Sequence, residues 1–462
     1  MVAIRFSIAF VGLGLACTTL PPGGGGSGDG GADAGADGGG FVETCDGGGG
    51  GNPACQDGGV TDGGTLDGGA SDGGIYDGGI YDGGAWDGGV YDGGFDPCGG
   101  NDSWLQFMGT AEHRGQRRVV GPQTNIVKWR YYLGTTNSSP WGRAPGSVAI
   151  DFDGTLYAAG PQLVALYPDG GVKWVFDAGS AGPSISGMSN RIYVDIDRNV
   201  VAAVSKTGTE IWRFVGDGPM NFAPTEAPDG TIYQGGWDGG FVYAIAPDGG
   251  LKWRFKTNQK CISYPVTVGF DGTVYVGAGD TNCGDMGGSP NFYAIAPDGG
   301  LKWSYDTFNQ RSGSPAIGFD GTIYIPSAPH LFALNPNGTL KWKKDGVPTD
   351  VSGIITPAVA PDGTLYVGTA HGQVIAVWPD GGTRWTFSIG QDLGMRGFPV
   401  VDCRGTVYVG ADDRKVYAIA ADGGLLWSYT TDAGITEASP AIGADGTLYI
   451  ASEDGYLYAF GP

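Results

Sequence analysis

Short apolar runs alternate with Gly-containing turns from about residue 104 to the end of the chain. In one representative stretch, runs at 314–319, 322–325, 331–334 and 340–342 are separated by an Asp-Gly pair, a short loop and an Asn-Gly pair. Gly tolerates the positive φ that tight hairpin turns require, so the two dipeptides predict turns. The runs are rich in β-branched and aromatic residues, which favour strands. The stretch therefore predicts four short antiparallel strands joined in chain order.

This four-strand unit recurs along the chain, with a Trp in its last strand and a Tyr in its second. The Trp markers are Trp129, Trp174, Trp212, Trp253, Trp303, Trp342, Trp385 and Trp427. The Tyr markers are Tyr157, Tyr193, Tyr233, Tyr275, Tyr324, Tyr366, Tyr408 and Tyr449. Successive Trp markers lie 38 to 50 residues apart, most of them near 42. A repeat of this length with four short strands is typical of a β-propeller blade.

The two ends of the repeat region are incomplete in complementary ways. The last unit, 439–462, supplies three strands, and the Trp strand at 126–131 precedes any complete unit. A closed ring leaves no unpaired sheet edge between its first and last blades. We therefore expect an all-β, eight-bladed propeller over residues 102–462, closed by pairing of the N-terminal strand with the final blade.

Composition sets residues 18–101 apart from the propeller. They hold 34 of the 91 Gly residues and 14 acidic residues, with no Lys or Arg. From Asp57 to Asp92 the sequence repeats Asp-Gly-Gly-x-x every five residues. Such a segment buries too little apolar area to offset its chain entropy, and evenly spaced Asp residues repel one another. The prediction is a disordered, acidic tether.

Residues 1–17 have the features of an export signal. An apolar run from Ile4 to Ala16, with Arg5 near its start, is too short to span a bilayer and long enough for a signal-peptide core. Gly14-Leu15-Ala16-Cys17 resembles the bacterial lipobox, in which the Cys becomes the lipidated first residue. We expect lipidation at Cys17 and an address at the outer membrane or cell surface. The alternative is an ordinary secretory signal and a secreted protein.

The segment Tyr293–Trp303, with the sequence YAIAPDGGLKW, resembles the repeat of PQQ-binding-like β-propellers. Residues 243–253 and 417–427 repeat it, and Trp104-Leu105-Gln106-Phe107 followed by Arg114 resembles the N-terminal segment of that family. The resemblance implies either a quinoprotein dehydrogenase or a non-catalytic scaffold similar to the outer-membrane barrel-assembly lipoproteins. In the dehydrogenases, the quinone stacks between a Trp and a disulfide of adjacent Cys residues, and Ca²⁺ bound by Glu, Asn and Asp polarises it.

The residues needed for catalysis are not evident in this sequence. The chain has no adjacent Cys pair, three His, and no pattern typical of a Ser-His-Asp set, a phosphate loop or a zinc site. The six Asp residues that open hairpin turns are Asp153, Asp229, Asp271, Asp320, Asp362 and Asp445. A turn Asp hydrogen-bonds its own backbone, so we interpret these carboxylates as structural and the eight Trp markers as packing between blades. We expect no enzyme activity, no cofactor and no metal site.

Strand order divides the propeller into two faces. The Asp-Gly turns and the turns before the last strands lie on one face, the turn face. The loops between second and third strands and the connections between blades lie on the other, the loop face. The loop face varies between units, and its candidate partner-binding residues are Trp141, Arg143, Met220, Trp237, Lys260, Tyr264, Arg311, His371 and Arg396. Aromatic and Arg side chains are typical anchors of protein interfaces.

Six cysteines besides Cys17 fit an oxidising compartment. Cys261 and Cys283 both fall on the loop face, which favours a bond between them. Cys403 takes the place of a turn Asp on the turn face, where the segment before residue 126 must also arrive, so a Cys98–Cys403 bond is feasible. Cys45 and Cys55 would then pair within the tether.

These observations predict a non-catalytic scaffold that binds another protein and reaches the membrane only through its N-terminal lipid. A net charge of −22 argues against nucleic acid as a partner. We expect a monomer. The alternatives are a quinone-dependent or other sugar-oxidising enzyme, and a carbohydrate-binding surface module that uses Trp141 and Trp237.

Overall fold

The computed structural model describes most of the predicted propeller, together with Cys98. The described residues are Cys98, 104–135, 147–177, 185–186, 190–196, 199–220, 222–262, 264–279, 291–308, 312–347, 356–390, 393–395, 397–436 and 438–461. All of them lie in one compact unit, Asp87–Pro462. The signal peptide, Cys17 and the tether up to residue 97 lie outside the described residues, as do Cys45 and Cys55.

The described residues form 32 strands in eight four-stranded antiparallel sheets, the blades. Among these residues, no helix has the length and apolar character needed to cross a membrane. The first strand, β1 (Val127–Tyr132), belongs to the last blade. The strands of blades 1 to 4 are β2 (Val148–Ile150), β3 (Leu156–Ala159), β4 (Leu163–Leu166) and β5 (Val172–Phe176); β6 (Ile185–Ser186), β7 (Arg191–Ile196), β8 (Val200–Ser205) and β9 (Glu210–Val215); β10 (Thr225–Glu226), β11 (Ile232–Gly235), β12 (Phe241–Ile245) and β13 (Leu251–Lys256); and β14 (Thr267–Val268), β15 (Val274–Gly277), β16 (Phe292–Ile295) and β17 (Leu301–Tyr305).

The remaining blades follow the same order. The strands of blades 5 to 8 are β18 (Ala316–Ile317), β19 (Ile323–Ser327), β20 (His330–Leu334) and β21 (Leu340–Asp345); β22 (Ala358–Val359), β23 (Leu365–Gly368), β24 (Gln373–Val377) and β25 (Thr383–Ser388); β26 (Val400–Val401), β27 (Val407–Gly410), β28 (Lys415–Ile419) and β29 (Leu425–Thr430); and β30 (Ala441–Ile442), β31 (Leu448–Ala451) and β32 (Tyr456–Phe460), which β1 completes.

Within each blade the first strand is innermost and the fourth is outermost. First strands of neighbouring blades contact each other, as β18, β22 and β26 do in succession. The inner three strands are buried almost throughout, whereas the fourth alternates between half-buried and exposed residues, as in β13. Neighbouring blades cover the inner strands on both faces, and the outermost edges remain in contact with water.

The ring closes as predicted. β1 pairs antiparallel with β32, with Trp129 opposite Ala459, and completes blade 8. The innermost strand of blade 1, β2, contacts the innermost strand of blade 8, β30. The eight-bladed propeller and its N-terminal closing strand are therefore both confirmed.

Every blade places an Ala on its third strand opposite the repeat Trp on its fourth. In blade 4, Ala294 lies opposite Trp303, and the register shifts by one residue immediately afterwards. The small Ala side chain leaves room for the indole, whose ring lies 5.9 Å from that of Tyr275. The repeat spacing read from the sequence therefore corresponds to one structural position per blade, and it explains why Trp and Tyr recur together.

The repeat Trp residues also join neighbouring blades. Trp303 in blade 4 donates its indole N–H to the carbonyl of Pro336, in the last turn of blade 5, at 3.0 Å. The same bond links blades 8 and 1, where Trp129 donates to Pro168. In blade 7, Trp427 donates to Pro122, because blade 8 takes its last two strands from opposite ends of the chain and has no such turn.

Residues 104–117, the central segment, run across the innermost strands at the turn-face end of the ring. Its carbonyls accept backbone N–H groups at the last residues of first strands: Val268 bonds to Ala111, Ile317 to Glu112, and Val401 to Gly115. Blades 1, 3 and 6 are contacted in the same way, through Trp104, the side chain of Gln106, and Arg114. Six of the eight blades are thereby joined through one stretch of chain.

Candidate functional site

The turn-face aspartates are bound within their own turns. Each accepts the backbone N–H of the Thr two residues later at 2.9–3.0 Å; these residues are Asp153, Asp229, Asp271, Asp320, Asp362 and Asp445. Each carboxylate also faces a Lys or Arg of its blade's fourth strand, with N···O distances of 2.9–3.5 Å. The outermost strand and the first turn of each of these six blades are thereby linked.

The pKa values of five of these carboxylates lie below the ordinary value for Asp; the five are Asp153, Asp229, Asp271, Asp320 and Asp445. Burial tends to raise the pKa of Asp271 and Asp320, but hydrogen bonds from the Thr and the Lys outweigh it and leave both pKa values below the ordinary value. Burial also tends to raise the pKa of Asp153, but hydrogen bonds from Thr155 and Lys173 outweigh it and lower that pKa to about 2. A general acid near neutral pH requires a raised pKa, so these residues are suited to a structural role.

The loop face of blades 3 and 4 carries three neighbouring aromatic rings. Phe222 lies between the other two, with ring centroids 6.4 Å from Trp237 and 5.8 Å from Tyr264. Both pairs are inclined by 31°, and all three side chains are half-buried. We call Phe222, Trp237 and Tyr264 the aromatic patch. Rings that are partly covered by protein and partly exposed to water are typical anchors for a partner.

Backbone hydrogen bonds hold the loop that carries Trp237. The N–H of Trp237 donates to Pro219 at 2.6 Å, and the N–H of Ile262 donates to Gly236 at 3.0 Å. Gly240 closes the loop with φ +60°, and a Cβ there would lie 2.1 Å from the Gln259 carbonyl oxygen. The close approach requires Gly, and it fixes the loop against the connections on either side of blade 3.

Trp237 differs from the eight repeat tryptophans in its hydrogen bonding. Each repeat indole N–H donates to a carbonyl oxygen near the adjacent blade at 2.7–3.0 Å. The indole N–H of Trp237 donates to no group in the described ranges. Its backbone is held by neighbouring loops, and the half-buried side chain carries this N–H donor. A partner carbonyl or hydroxyl oxygen could accept it.

The other predicted partner-face residues have different outcomes. Trp141, Arg143, Arg311 and Arg396 lie outside the described residues. Lys260 and His371 are exposed, on the connections and loops of their blades. The prediction for Met220 was wrong, because its side chain is fully buried and packs in the core shared by blades 2 and 3. Phe222 was missed: it lies in an irregular connection, where the repeat gives no signal.

At the centre of the ring, His113 of the central segment is fully buried among hydroxyl groups. Its Nδ1 lies 2.9 Å from both Ser314 Oγ and Thr267 Oγ1, and Phe107 packs edge-on against its ring. Burial lowers the pKa of His113 to about 3. The imidazole is therefore neutral at physiological pH and takes part in a closed hydrogen-bonding group.

Arg114 lies beside it between two turn-face phenylalanines. Its guanidinium is 4.5 Å from the ring of Phe270 and 4.4 Å from that of Phe319. Its Nε donates to the Ile317 carbonyl at 3.1 Å, and Glu112 lies 3.7 Å away. Burial lowers the pKa of Arg114 and Glu112 opposes that shift. These contacts attach the central segment to blades 4 and 5.

Among the described residues of the ring, no group matches the quinone and calcium site that the resemblance implies. No three His, Cys, Asp or Glu side chains in the described ranges come close enough together to hold a metal ion. The chain contains no adjacent Cys pair. Each of the eight repeat indoles packs against the Tyr marker of its own blade and donates its N–H to a carbonyl group near an adjacent blade.

Cys98 and Cys403 are joined by a disulfide on the turn face. The turn at 402–405 closes through a bond from the Gly405 N–H to the Asp402 carbonyl. Cys403 therefore occupies the position of Phe319 in blade 5, and Arg404, not Cys403, replaces the turn Asp. The prediction that Cys403 takes the place of a turn Asp was therefore wrong by one residue. Cys261 is disulfide-bonded, and its predicted partner, Cys283, lies outside the described residues.

Comparison with known families and structures supports the PQQ-like repeat. Residues 238–393 and 371–461 match the family described as outer membrane protein assembly factor BamB. No curated protein sequence matches the chain.

Three solved structures illustrate how widely the fold is used. The quinohemoprotein alcohol dehydrogenase from Comamonas testosteroni is 15% identical over 78% of this chain and 81% of its own, with a TM-score of 0.61. BamB from Moraxella catarrhalis is 16% identical over 72% of this chain and 98% of its own, with a TM-score of 0.55. The computationally designed Ika8 protein is 13% identical over 72% and 99%, with a TM-score of 0.58. At these identities the likeness concerns the fold alone.

Proposed function

We propose that this chain is a non-catalytic scaffold that binds another protein through its loop face, and the match of residues 238–461 to the BamB family supports the proposal. The observation that carries the proposal is the aromatic patch, where Trp237 keeps an indole N–H that no described residue accepts. The repeat tryptophans use the same group to join adjacent blades. A half-buried aromatic side chain that carries an N–H donor provides both apolar area and directional specificity for a partner.

The proposal includes the cellular address. The N-terminal sequence favours export, lipidation at Cys17 and attachment to the outer membrane or cell surface. Substituting Cys17→Ser should move the protein from the membrane fraction to the soluble fraction and abolish incorporation of a labelled fatty acid. Unchanged fractionation of the variant would contradict lipid anchoring and leave partner binding to be judged separately.

The binding proposal is tested with the full chain as bait on outer-membrane extracts, after reversible crosslinking. A partner recovered by the wild type should be lost with Trp237→Ala, since truncation of an interface anchor costs about 2 kcal/mol or more, roughly a thirtyfold loss of affinity. Trp378→Ala is the matched control, because Trp378 is an exposed Trp on the turn face, in the turn before the last strand of blade 6. It should retain the partner.

The competing functions predict different results in the same preparation. Release of the bound material by soluble glycans, dependent on Trp237, would support the carbohydrate-binding module. Stoichiometric uptake of PQQ with Ca²⁺, accompanied by dye-linked alcohol or sugar oxidation, would overturn the scaffold in favour of an enzyme. Equal recovery of the partner by wild type and Trp237→Ala would place binding elsewhere on the molecule.

A further inference from the structure

The outermost strands of the eight blades are sheet edges, and seven of them carry charged residues. β29 of blade 7, with the sequence LLWSYT, is the one described outermost strand that has none. It pairs with β28 on one side and with no described strand on the other. Lys and other charges on edge strands hinder the addition of a further strand, so the blade-7 edge lacks a protection that the other seven edges have.

Blade 7 departs from the sequence of the other blades at two positions of the repeat. In six blades, the residue before the repeat Trp is a Lys or Arg that pairs with the turn Asp, as Lys341 does with Asp320 at 3.0 Å. In blade 7, Leu426 stands in the position of the Lys and Arg404 in that of the Asp. Leu425 and Leu426 are 51% and 45% exposed, and Ile126, at the nearby start of the closing strand, is 62% exposed. Charge is replaced there by exposed apolar surface.

The backbone of this edge is able to accept a donor from outside the blade. Asn125, just before β1, donates its side-chain N–H to the Ser428 carbonyl at 2.9 Å. The Ser428 carbonyl therefore points away from β28, and by the two-residue period of a strand so do the backbone groups of Thr430. An added strand would replace the Asn125 amide with a backbone N–H and extend the ladder.

We propose that β29 is a second docking surface, which takes an extended segment of another polypeptide as a fifth strand of blade 7. The segment is neutral or basic and has apolar residues at alternate positions, so that they cover Leu425, Leu426 and Ile126. A second copy of this chain is disfavoured as the occupant, because two chains of net charge −22 repel each other. Strand addition of this kind derives affinity from main-chain hydrogen bonds and specificity from alternate side chains. The surface is separate from the aromatic patch.

The probe is a fluorescent peptide with the sequence of residues 414–420, because β28 within it is the strand that β29 already pairs with. Fluorescence polarisation with the full chain should show saturable binding. Leu426→Lys restores the charge found in other blades and should weaken binding about tenfold, or about 1.4 kcal/mol. Leu340→Lys makes the same change on the outermost strand of blade 5, which already carries charges, and should stay within about twofold of the wild type.

Three results would overturn the proposal. They are absence of saturable binding by the wild type, equal binding by Leu426→Lys, and equal binding of a peptide N-methylated at alternate residues, which cannot form the ladder. Thermal unfolding is measured first for both Leu→Lys variants, to establish that each one is folded before binding is compared. A wild-type dimer that dissociates in Leu426→Lys would replace the foreign segment with a second copy. Trp237→Ala should bind the peptide normally, so failure here and failure of the loop-face proposal are distinguishable.

Discussion

Each repeat tryptophan performs two tasks that depend on different parts of its side chain. In blade 3, the ring of Trp253 packs 5.7 Å from that of Tyr233, while its N–H donates to Pro297 of blade 4 at 2.8 Å. The half-buried indole of Trp253 thus covers its apolar body with a ring of its own blade and satisfies its polar end with a carbonyl of the next blade. The packing role was predictable from the spacing of the Trp residues. The acceptor was not, because it belongs to another unit of the repeat.

Because His113 is buried and its pKa is lowered, we expect it to make the stability of the protein depend on pH. Its folded-state pKa of about 3 lies below the ordinary value of 6.5, so the unfolded chain binds more protons between these two values. The free energy of unfolding therefore falls as pH decreases from 6.5 towards 3, by up to about 1.4 kcal/mol per pH unit from this residue. His113→Asn should flatten that slope, and Asn tolerates the backbone φ of +54°.

The measurement is urea unfolding of wild type and variant at several values between pH 7 and pH 4. Carboxylates with lowered pKa values contribute equally to both proteins, so the difference in slope isolates His113. His371→Asn, at an exposed position, is the matched control and should reproduce the wild-type slope. Identical slopes for wild type and His113→Asn would show that the buried imidazole is not kept neutral by its surroundings.

At the level of elements, the hairpin turns could be predicted closely and the connections could not. Asp-Gly turns have local causes, and both are visible in the sequence: the positive φ of Gly, and the hydrogen bond that the Thr backbone N–H donates to the Asp two residues earlier. The central segment and Phe222 have no period, and their partners lie far along the chain. His113, for example, meets Ser314 across 201 residues. Contacts of that kind arise only when the ring is assembled.

The turn before the last strand combines a backbone constraint with a packing constraint, and one Gly satisfies both. Gly299 has φ +91°, and a Cβ there would lie 2.9 Å from Cδ2 of Trp253 in the preceding blade. Gly299→Ala should lower the free energy of unfolding by about 2–4 kcal/mol, since it adds left-handed strain to an overpacked contact. Chemical denaturation measures the loss.

Gly390→Ala separates the two contributions. Gly390 has φ +74°, and a Cβ there would meet nothing within 4 Å, so only the backbone strain of about 1 kcal/mol remains. A loss for Gly299→Ala no larger than that for Gly390→Ala would show that the Trp–Gly contact between blades contributes little to stability.

For the whole molecule, the sequence was sufficient to predict blade number and closure, because an incomplete last unit and an extra first strand can be counted. The site was predicted less well. Trp237 and Tyr264 lie together on the loop face, but Met220 is buried and Phe222 was overlooked. Blade 7 shows the same limit: Leu426 and Arg404 are visible as departures from the repeat, and only the paired strands reveal that Leu426 lies on the outer edge of the blade.

The disulfide between Cys98 and Cys403 should contribute to the stability of the whole ring. It links residues 305 apart, so it restricts the unfolded chain over most of the propeller. Replacing both residues by Ser should lower the free energy of unfolding by about 2–4 kcal/mol. The loss is measured by chemical denaturation without reductant, so that the disulfide of Cys261 stays intact. A double Ala variant controls for placing a hydroxyl at Cys403, which is 7% exposed. Equal losses in the two double variants assign the effect to the crosslink. Unfolding at the wild-type denaturant concentration in both would mean that the central segment and β1 already hold the ends of the ring, and that the bond adds nothing to its stability.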